Sequence, residues 1–158
     1  MAAVVPEPVA RVKHALNALG AEDTVTVFAS TVPTAAAAAA ALGCEVAAIT
    51  NSLVFDLEGA PLLILASGAA RVDVRKVAAR LGAGRIRRAS PEFVLEHTGQ
   101  EVGGVAPVGH PEKIQTLLDE SLRVHEVLWA GAGDHHSMFS ISYDELRRIT
   151  AAKEMPVR

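Results

Sequence analysis

Two strongly apolar segments that stand close together constrain the fold of this chain more than any other feature. Segment 52–57, SLVFDL, and segment 61–67, PLLILAS, each have the length of a strand, and only EGA separates them. Gly59 in this link can adopt the backbone conformation of a tight turn, so the pair predicts a β-hairpin. Because a hairpin sets two strands antiparallel, the sheet cannot be purely parallel.

Helical and strand periodicities alternate irregularly over the rest of the chain. The predicted helices are 9–19, 33–42, 74–81, 90–97 and 143–152, the last begun by a capping box of Ser142 and Glu145. The further predicted strands are 24–28, 85–89, 113–119, 125–131 and 137–142. This irregular order favours an α/β (α+β mixed) fold, with either a mixed sheet or a barrel flanked by helices.

Length and composition suit one domain over residues 1–158. Half of the residues are hydrophobic, so a substantial core can form, and the net charge of −3 excludes only a generally basic surface. Cys44 is the single cysteine and cannot form an internal disulfide, as expected in a reducing compartment. The chain start is unlike a secretory signal, and the longest apolar run is mostly alanine. We therefore expect a soluble, cytoplasmic protein that does not bind membranes.

The first candidate site is the loop GGVAPVG, residues 103–109. Its glycines let the backbone approach a ligand and expose N–H groups, and Pro107 stiffens the loop. Preorganised N–H donors are what a hydrolytic site needs where negative charge develops on a carbonyl oxygen. On composition alone, an ordinary surface loop is the alternative and the simpler explanation.

The second candidate is the segment GAGDHHSMF, in which His135 and His136 precede a strand. Adjacent residues at a strand entry point to opposite faces, so one imidazole should face a given pocket and act as a general base or hold a water. Exposed loop histidines are the alternative. Cys44, Asp134 and the histidines could bind zinc, but no pair has the spacing of a known metal motif, and no metal site is predicted.

Two further clusters of polar residues stand out. Thr50, Asn51 and Ser52 lead into the apolar strand, where a core strand has no evident use for three polar side chains. Basic residues concentrate in 71–88, opposed only by Asp73, and either a phosphate-binding surface or a solvated face would explain them. They are Arg71, Arg75, Lys76, Arg80, Arg85, Arg87 and Arg88.

Four segments, taken in order, resemble the YbaK family, also called the aminoacyl-tRNA-synthetase-associated or prolyl-tRNA-editing domain family. They are PTAAAAAAALGCEVAAITNSLVF, LLILASGAARVDVRKVAARLG, ASPEFVLEHTGQEVGGVAPVGHP and AGAGDHHSMFSISYDELRRIT. The third contains the family's glycine, three residues, proline pattern at Gly103 to Pro107. The resemblance covers roughly residues 24–152 and leaves 1–23 as an N-terminal helix.

The resemblance implies a trans-acting hydrolase that removes a wrong amino acid, such as alanine or cysteine, from transfer RNA, most often proline tRNA. It implies a mixed, barrel-like β-sheet flanked by helices, no cofactor, and a partner that is the acceptor end of aminoacyl-tRNA rather than DNA. The catalytic residues expected on this basis are Asn51, Gly103, Gly104, Pro107, His135 and His136. The expected substrate-binding residues are Thr50, Ser52, Gly68, Arg71, Arg75 and Lys76.

One position departs from the family pattern. Asn51 stands where the family usually has a lysine, and a neutral amide offers hydrogen bonds but no countercharge. Two alternatives to an editing deacylase therefore stay open. One is a non-catalytic binder of aminoacyl-tRNA or of an amino-acid-like ligand, and the other is an esterase with a substrate other than tRNA.

Overall fold

Helices and strands alternate along residues 6–158, the part of the chain that this computed structural model describes. The helices are α1 (Glu7–Ala18), α2 (Ala35–Leu42), α3 (Val74–Leu81), α4 (Pro91–Thr98) and α5 (Tyr143–Thr150). The strands are β1 (Thr26–Val27), β2 (Ile49–Leu57), β3 (Ala60–Ser67), β4 (Ile86–Arg88), β5 (Gln115–Asp119), β6 (Leu128–Gly131), β7 (Ser137–Ile141) and β8 (Lys153–Met155). Short 3₁₀ helices span Val46–Ala48 and Glu120–Val124. The start of the predicted N-terminal segment, residues 1–5, lies outside the described residues.

Side-chain caps mark the starts of α2, α4 and α5. The Thr34 hydroxyl accepts a hydrogen bond from the Ala37 amide at 3.0 Å, and Ser90 serves α4 in the same way. Only one of the two hydrogen bonds of the α5 capping box forms. The Ser142 hydroxyl accepts from the Glu145 amide, but the Glu145 carboxylate pairs with Arg148 instead of reaching back.

The strands form one mixed sheet in the order β1-β7-β6-β2-β3-β5-β8, with β4 paired to β2. The predicted hairpin is β2–β3, which pairs antiparallel from Thr50–Ser67 to Leu57–Ala60. Pairs β2–β6, β3–β5 and β5–β8 are parallel. The expected mixed sheet with flanking helices is confirmed, although within residues 6–158 no ladder joins β1 to β8 and the sheet is open by hydrogen bonding.

Some predicted strand limits were wrong. β1 has two residues rather than five, and β2 begins at Ile49, so the polar triplet lies inside the strand. β8 was missed because its three residues, KEM, are too few to show a period. Its Met155 is buried against the core all the same.

One edge of β2 is only partly paired. β3 occupies the first edge along residues 50–57. On the second edge, β6 pairs with Ile49 and Thr50 while β4 pairs with Phe55 to Leu57. Residues 51–54 therefore have no strand neighbour on this edge within the described part of the chain. This gap in the sheet positions the candidate site.

The two faces of the sheet pack against different elements. Leu63 and Leu65 of β3 face a core that includes residues of α1, α5 and loop 105–108. Leu62 and Ile64 alternate with them and face α3. Because paired residues share a face, Ser52 lies on the face of Leu65, and Asn51, opposite Ala66, lies on the other.

Candidate active site

An open cavity of about 720 Å³ lies at the gap in the edge of β2. Its walls come from β2, the start of α2, the segment before α3, β4, and the loops that contain Gly103 and Asp134. Its polar and charged lining residues are Thr34, Thr50, Asn51, Ser52, Arg71, Arg88, Asp134 and Ser137. Its apolar lining includes Val54, Val94, Val105 and Met138.

The polar triplet of the sequence lines this cavity. Thr50 and Ser52 lie on the face of the sheet that packs against loop 105–108, whereas Asn51 lies on the face of α3. All three reach one cavity because the strand edge between the two faces is unpaired there. The triplet therefore faces a cleft rather than a closed core.

Three buried hydroxyl groups of the cavity have no hydrogen-bond partner among residues 6–158. They belong to Thr50, Ser52 and Ser137. Buried polar side chains are nearly always hydrogen-bonded in native proteins. All three oxygen atoms are themselves buried, so they are unsatisfied polar groups behind the cavity surface rather than groups exposed in it.

Only some amides of the glycine–proline loop have hydrogen-bond partners within residues 6–158. The Gly104 amide donates to the Glu101 carbonyl at 2.9 Å, and the Ala106 amide donates to Gln100 Oε1 at 2.7 Å. The amides of Gly103 and Val105 have no partner in the described part of the chain, and both residues line the cavity.

The other two predicted residues of this loop, Gly104 and Pro107, are buried, and the cavity lining over residues 6–158 does not include them. Gly104 has a packing role. A Cβ atom there would lie 2.9 Å from the Asp134 Cα atom and 3.0 Å from His135 Cδ2. Only glycine allows the two loops to approach this closely.

The histidine loop contributes an aspartate to the cavity. Asp134 lines it, and its Oδ1 atom accepts a hydrogen bond from the His136 amide at 2.9 Å. Neither His135 nor His136 is among the lining residues of the described chain. His135 Nε2 instead lies 3.0 Å from the Val102 carbonyl oxygen. This imidazole therefore contacts the backbone of the glycine loop.

The remaining predicted substrate-binding residues are divided between the cavity and the surface. Arg71 lines the cavity, whereas Arg75 and Lys76 are exposed on α3, outside the lining found over residues 6–158. Gly68 is a packing glycine, since a Cβ atom there would lie 2.6 Å from the Val46 carbonyl oxygen.

The basic segment 71–88 is exposed at all seven of its arginines and lysines. None of them pairs with a carboxylate among residues 6–158. Arg80 donates to the Pro156 carbonyl at 2.9 Å, and Arg71 and Arg88 reach the cavity. The segment therefore presents positive charge that no carboxylate of residues 6–158 neutralises by pairing, and two of its seven cationic residues line the cavity.

The sequence pattern did not single out Ser137 or Gln100, and it marked Asp134 only as a metal ligand. Asp134 and Ser137 flank the histidine pair, and that proximity was the available signal. Gln100 lies outside the glycine–proline pattern, and only its contact with Ala106 reveals its role.

Two kinds of feature are absent from residues 6–158. No group of three His, Cys, Asp or Glu side chains there could hold a metal ion. No described helix has the length and apolar character needed to cross a bilayer.

Comparison with known proteins gives a consistent result. Residues 29–149 match the model of the aminoacyl-tRNA editing domain. The chain is 34% identical over 133 residues to the uncharacterized protein YwhH of Bacillus subtilis (strain 168), covering 84% of each. It is 33% identical over 102 residues to the proline–tRNA ligase of Limosilactobacillus fermentum, spanning 61% of this chain but only 18% of the ligase.

A solved structure supports the same assignment. The crystal structure of "a putative trans-editing enzyme for prolyl tRNA synthetase" superposes with a TM-score of 0.92 at 35% identity. The match covers 98% of this chain and 99% of that one. With the family model matching most of its length, the chain belongs to the aminoacyl-tRNA editing domain family.

Proposed function

We propose that this protein hydrolyses the ester of mischarged aminoacyl-tRNA in trans, with proline tRNA as the first candidate. The observation that carries the proposal is one cavity lined by Gly103 and Val105, whose backbone amides are free among residues 6–158, together with Asp134. The family match and the structural relative described for prolyl-tRNA synthetase support the same reading.

The amides of Gly103 and Val105 are suited to the carbonyl oxygen of the aminoacyl ester. Water adds to the carbonyl carbon, and negative charge develops on that oxygen before the bond to the terminal ribose oxygen breaks. Preorganised donors stabilise this charge, and one such donor contributes roughly 10²- to 10³-fold in rate in well-studied enzymes. The leaving ribose oxygen takes a proton, giving free amino acid and uncharged tRNA.

Asp134 is the candidate for orienting the attacking water. Asp134 lines the cavity, and its Oδ1 atom accepts a hydrogen bond from the His136 amide. A carboxylate can accept a hydrogen bond from water and direct it toward the carbonyl carbon. In this proposal His135 and His136 act through backbone and loop contacts rather than by touching the substrate.

The positive charge that Asn51 lacks can come from elsewhere in the cavity. Arg71 and Arg88 both line it, and both are exposed. Guanidinium groups bind phosphate with two parallel hydrogen bonds, which suits the phosphates at the acceptor end of tRNA. A missing lysine at position 51 therefore does not by itself remove electrostatic attraction for tRNA.

The test is a deacylation assay of the purified protein against a panel of tRNAs, each charged with a wrong amino acid. We expect release of at least one amino acid, and strong loss of activity in Asp134→Asn. Binding of aminoacyl-tRNA without release would favour the non-catalytic binder. Hydrolysis of small amino-acid esters with no activity on tRNA would favour an esterase with another substrate.

A further inference from the structure

Helix α1 lies outside the segment that the family model matches. The match covers residues 29–149, whereas α1 spans Glu7–Ala18. Its inward side chains are nevertheless fully packed, since Val9 and Val12 are 0% exposed and Leu16 is 1% exposed. No residue of α1 belongs to the cavity lining found over residues 6–158. The helix is therefore firmly packed on the domain without lining the space that a substrate would occupy.

The backbone of α1 closely approaches both loops of the candidate site. A Cβ atom added at Gly109, which ends the glycine–proline loop, would lie 3.1 Å from the Val12 Cα atom and 3.1 Å from Val12 Cγ2. A Cβ atom added at Gly133, in the histidine loop, would lie 2.8 Å from the Pro8 carbonyl oxygen. Because Pro8 and Val12 are four residues apart, both contacts fall on one side of the helix.

These contacts join the two loops through a third part of the molecule. The loops already meet each other where Gly104 packs against the Asp134 backbone. Gly133 directly precedes Asp134, and Gly109 ends the loop that carries the two free amides. Each of the three parts therefore contacts the other two, and packing this close does not let one part shift alone. The spacing between Asp134 and the free amides consequently depends on the position of α1.

Building on the proposed function, we propose that α1 is a positioning element of the active site and that Val12 is its central positioning residue. The helix sets the spacing between Asp134, which orients the water, and the amides that receive the ester oxygen. It touches neither the substrate nor the water. Rates depend steeply on such spacing, and a misplacement of about 1 Å costs on the order of 100-fold.

The first test compares two matched substitutions in the full chain. Val12→Ala and Val77→Ala each remove the same atoms from a helical valine that is 0% exposed. Val77 packs in the core cluster on the other face of the sheet and does not line the cavity. At a temperature at which circular dichroism shows both variants folded, kcat for deacylation should fall roughly 10- to 100-fold in Val12→Ala. It should stay near the wild-type value in Val77→Ala.

A conservative variant separates position from stability. Val12→Thr keeps the branched shape that meets Gly109 but buries a hydroxyl, so it should lower the melting temperature. Its kcat should nevertheless stay near that of the wild type, because the contact between the helix and the loop is retained. A loss of kcat that follows stability across Val12→Ala, Val12→Thr and Val77→Ala would overturn the inference.

The second test measures hydrogen exchange of the wild type with a bound analogue. The probe is an aminoacyl-adenosine joined by a 3′-amide, which cannot be cleaved as an ester. It carries the amino acid that the wild type releases, or alanine where none is released. A ligand held between the two loops stabilises the arrangement on which α1 packs, so exchange of the α1 amides should slow by about fivefold or more. Helix α5, which also lies outside the cavity lining of residues 6–158, is the control and should not change.

The outcomes separate this inference from the proposed function. Equal losses of kcat in the two alanine variants, or unchanged exchange of α1, would overturn the inference and leave the deacylase intact. Analogue binding that slows the exchange of α1 without any ester cleavage would support the coupling of α1 to the cavity and remove the deacylase. A wild type that neither binds the analogue nor cleaves any ester would overturn both.

Discussion

Gln100 Oε1 accepts a hydrogen bond from the Ala106 amide at 2.7 Å, and this contact fixes the loop of the candidate site. The Gln100 side-chain amide also donates to the Val108 carbonyl at 3.4 Å. Gln100 is only 2% exposed, so water cannot easily replace it. With both bonds formed, the loop is held while the amides of Gly103 and Val105 stay free.

Replacing Gln100 with alanine should therefore weaken both the fold and the site. The variant leaves the buried Ala106 amide and Val108 carbonyl without this partner, which typically costs about 1–3 kcal/mol in the free energy of unfolding. Deacylation should fall as well, because the Gly103 and Val105 amides lose their positions. Urea unfolding and the deacylation assay measure the two effects. Gln115→Ala, at an exposed residue outside the cavity, is the control, and an equal loss there would contradict the role of Gln100.

Gly104→Ala should disturb the contact between the two loops. The added Cβ atom would lie 2.9 Å from backbone atoms of Asp134, so one loop must move. Overpacking of this kind costs about 1–3 kcal/mol in stability, and a misplaced site loses on the order of 10- to 100-fold in rate. In the control Gly84→Ala, the nearest atoms belong to the flexible Glu58 carboxylate. Normal activity of Gly104→Ala would show that close loop packing is not required.

Asn51→Ala should lower deacylation only modestly. One neutral hydrogen bond contributes ~0.5–1.5 kcal/mol, which corresponds to roughly a tenfold effect or less. A reduction of several hundredfold in the deacylation assay would instead make Asn51 central to the chemistry.

Asn51→Lys distinguishes an anionic from a neutral ligand. If the cavity receives the acceptor end of tRNA, the added charge should raise tRNA affinity. If it is built for a neutral ligand, a half-buried lysine beside Arg71 and Arg88 should lower the melting temperature and abolish binding. Thermal unfolding and tRNA binding are measured beside Asn17→Lys, an exposed position on α1. A destabilised, inactive Asn51→Lys together with an inactive wild type would rule out tRNA editing.

Charge reversal on α3 should weaken tRNA binding in a salt-dependent way. Arg75→Glu with Lys76→Glu removes two exposed cations that directly follow Val74, a residue of the cavity lining. The slope of log affinity against log salt should flatten by about one for each phosphate that the variant no longer binds, and the affinity should fall similarly for all tRNAs. Lys113→Glu with Lys153→Glu makes the same change in charge at exposed residues outside the cavity lining. Equal effects of the two double variants would show that the basic segment is only a solvated surface and makes no specific contribution to tRNA binding.

His110 should make stability depend on pH. Its burial lowers the pKa of the imidazole, a change only partly opposed by its hydrogen bond to the Ala106 carbonyl at 2.8 Å. Below the ordinary pKa of about 6.5 the unfolded chain binds a proton that the folded chain resists. The free energy of unfolding should therefore fall as the pH drops from about 6.5 toward the lowered folded pKa. Urea unfolding at several pH values measures this slope. His110→Gln should flatten this slope. An unchanged slope in that variant would mean that another group causes the pH dependence of stability.

Much of the fold was accessible from sequence because its signals are local. The β2–β3 hairpin follows from two apolar segments and a turn glycine, and the start of α2 follows from the Thr34 cap. β8 was inaccessible because three residues have no readable period, and their pairing to β5 is decided across the sheet. The family resemblance, likewise, rests on four contiguous segments and agrees with the match over residues 29–149.

Only part of the candidate site could be predicted from the sequence. Local sequence marks residues that are unusual where they stand, such as the polar triplet at Asn51 and the glycine at Gly103. It does not show which amides stay free, because that depends on bonds made by Glu101 and Gln100 within the folded loop. Nor does it show that Ser137 lines the same cavity as Thr50 and Ser52, because the order of the sheet, with β6 between β7 and β2, brings them there. Sequence alone determined most of the helices and strands and marked the unusual residues, because these features depend on short-range interactions along the chain. The tertiary structure alone decided which of them share a cavity, because the gap between β6 and β4 is created by strands distant in the chain.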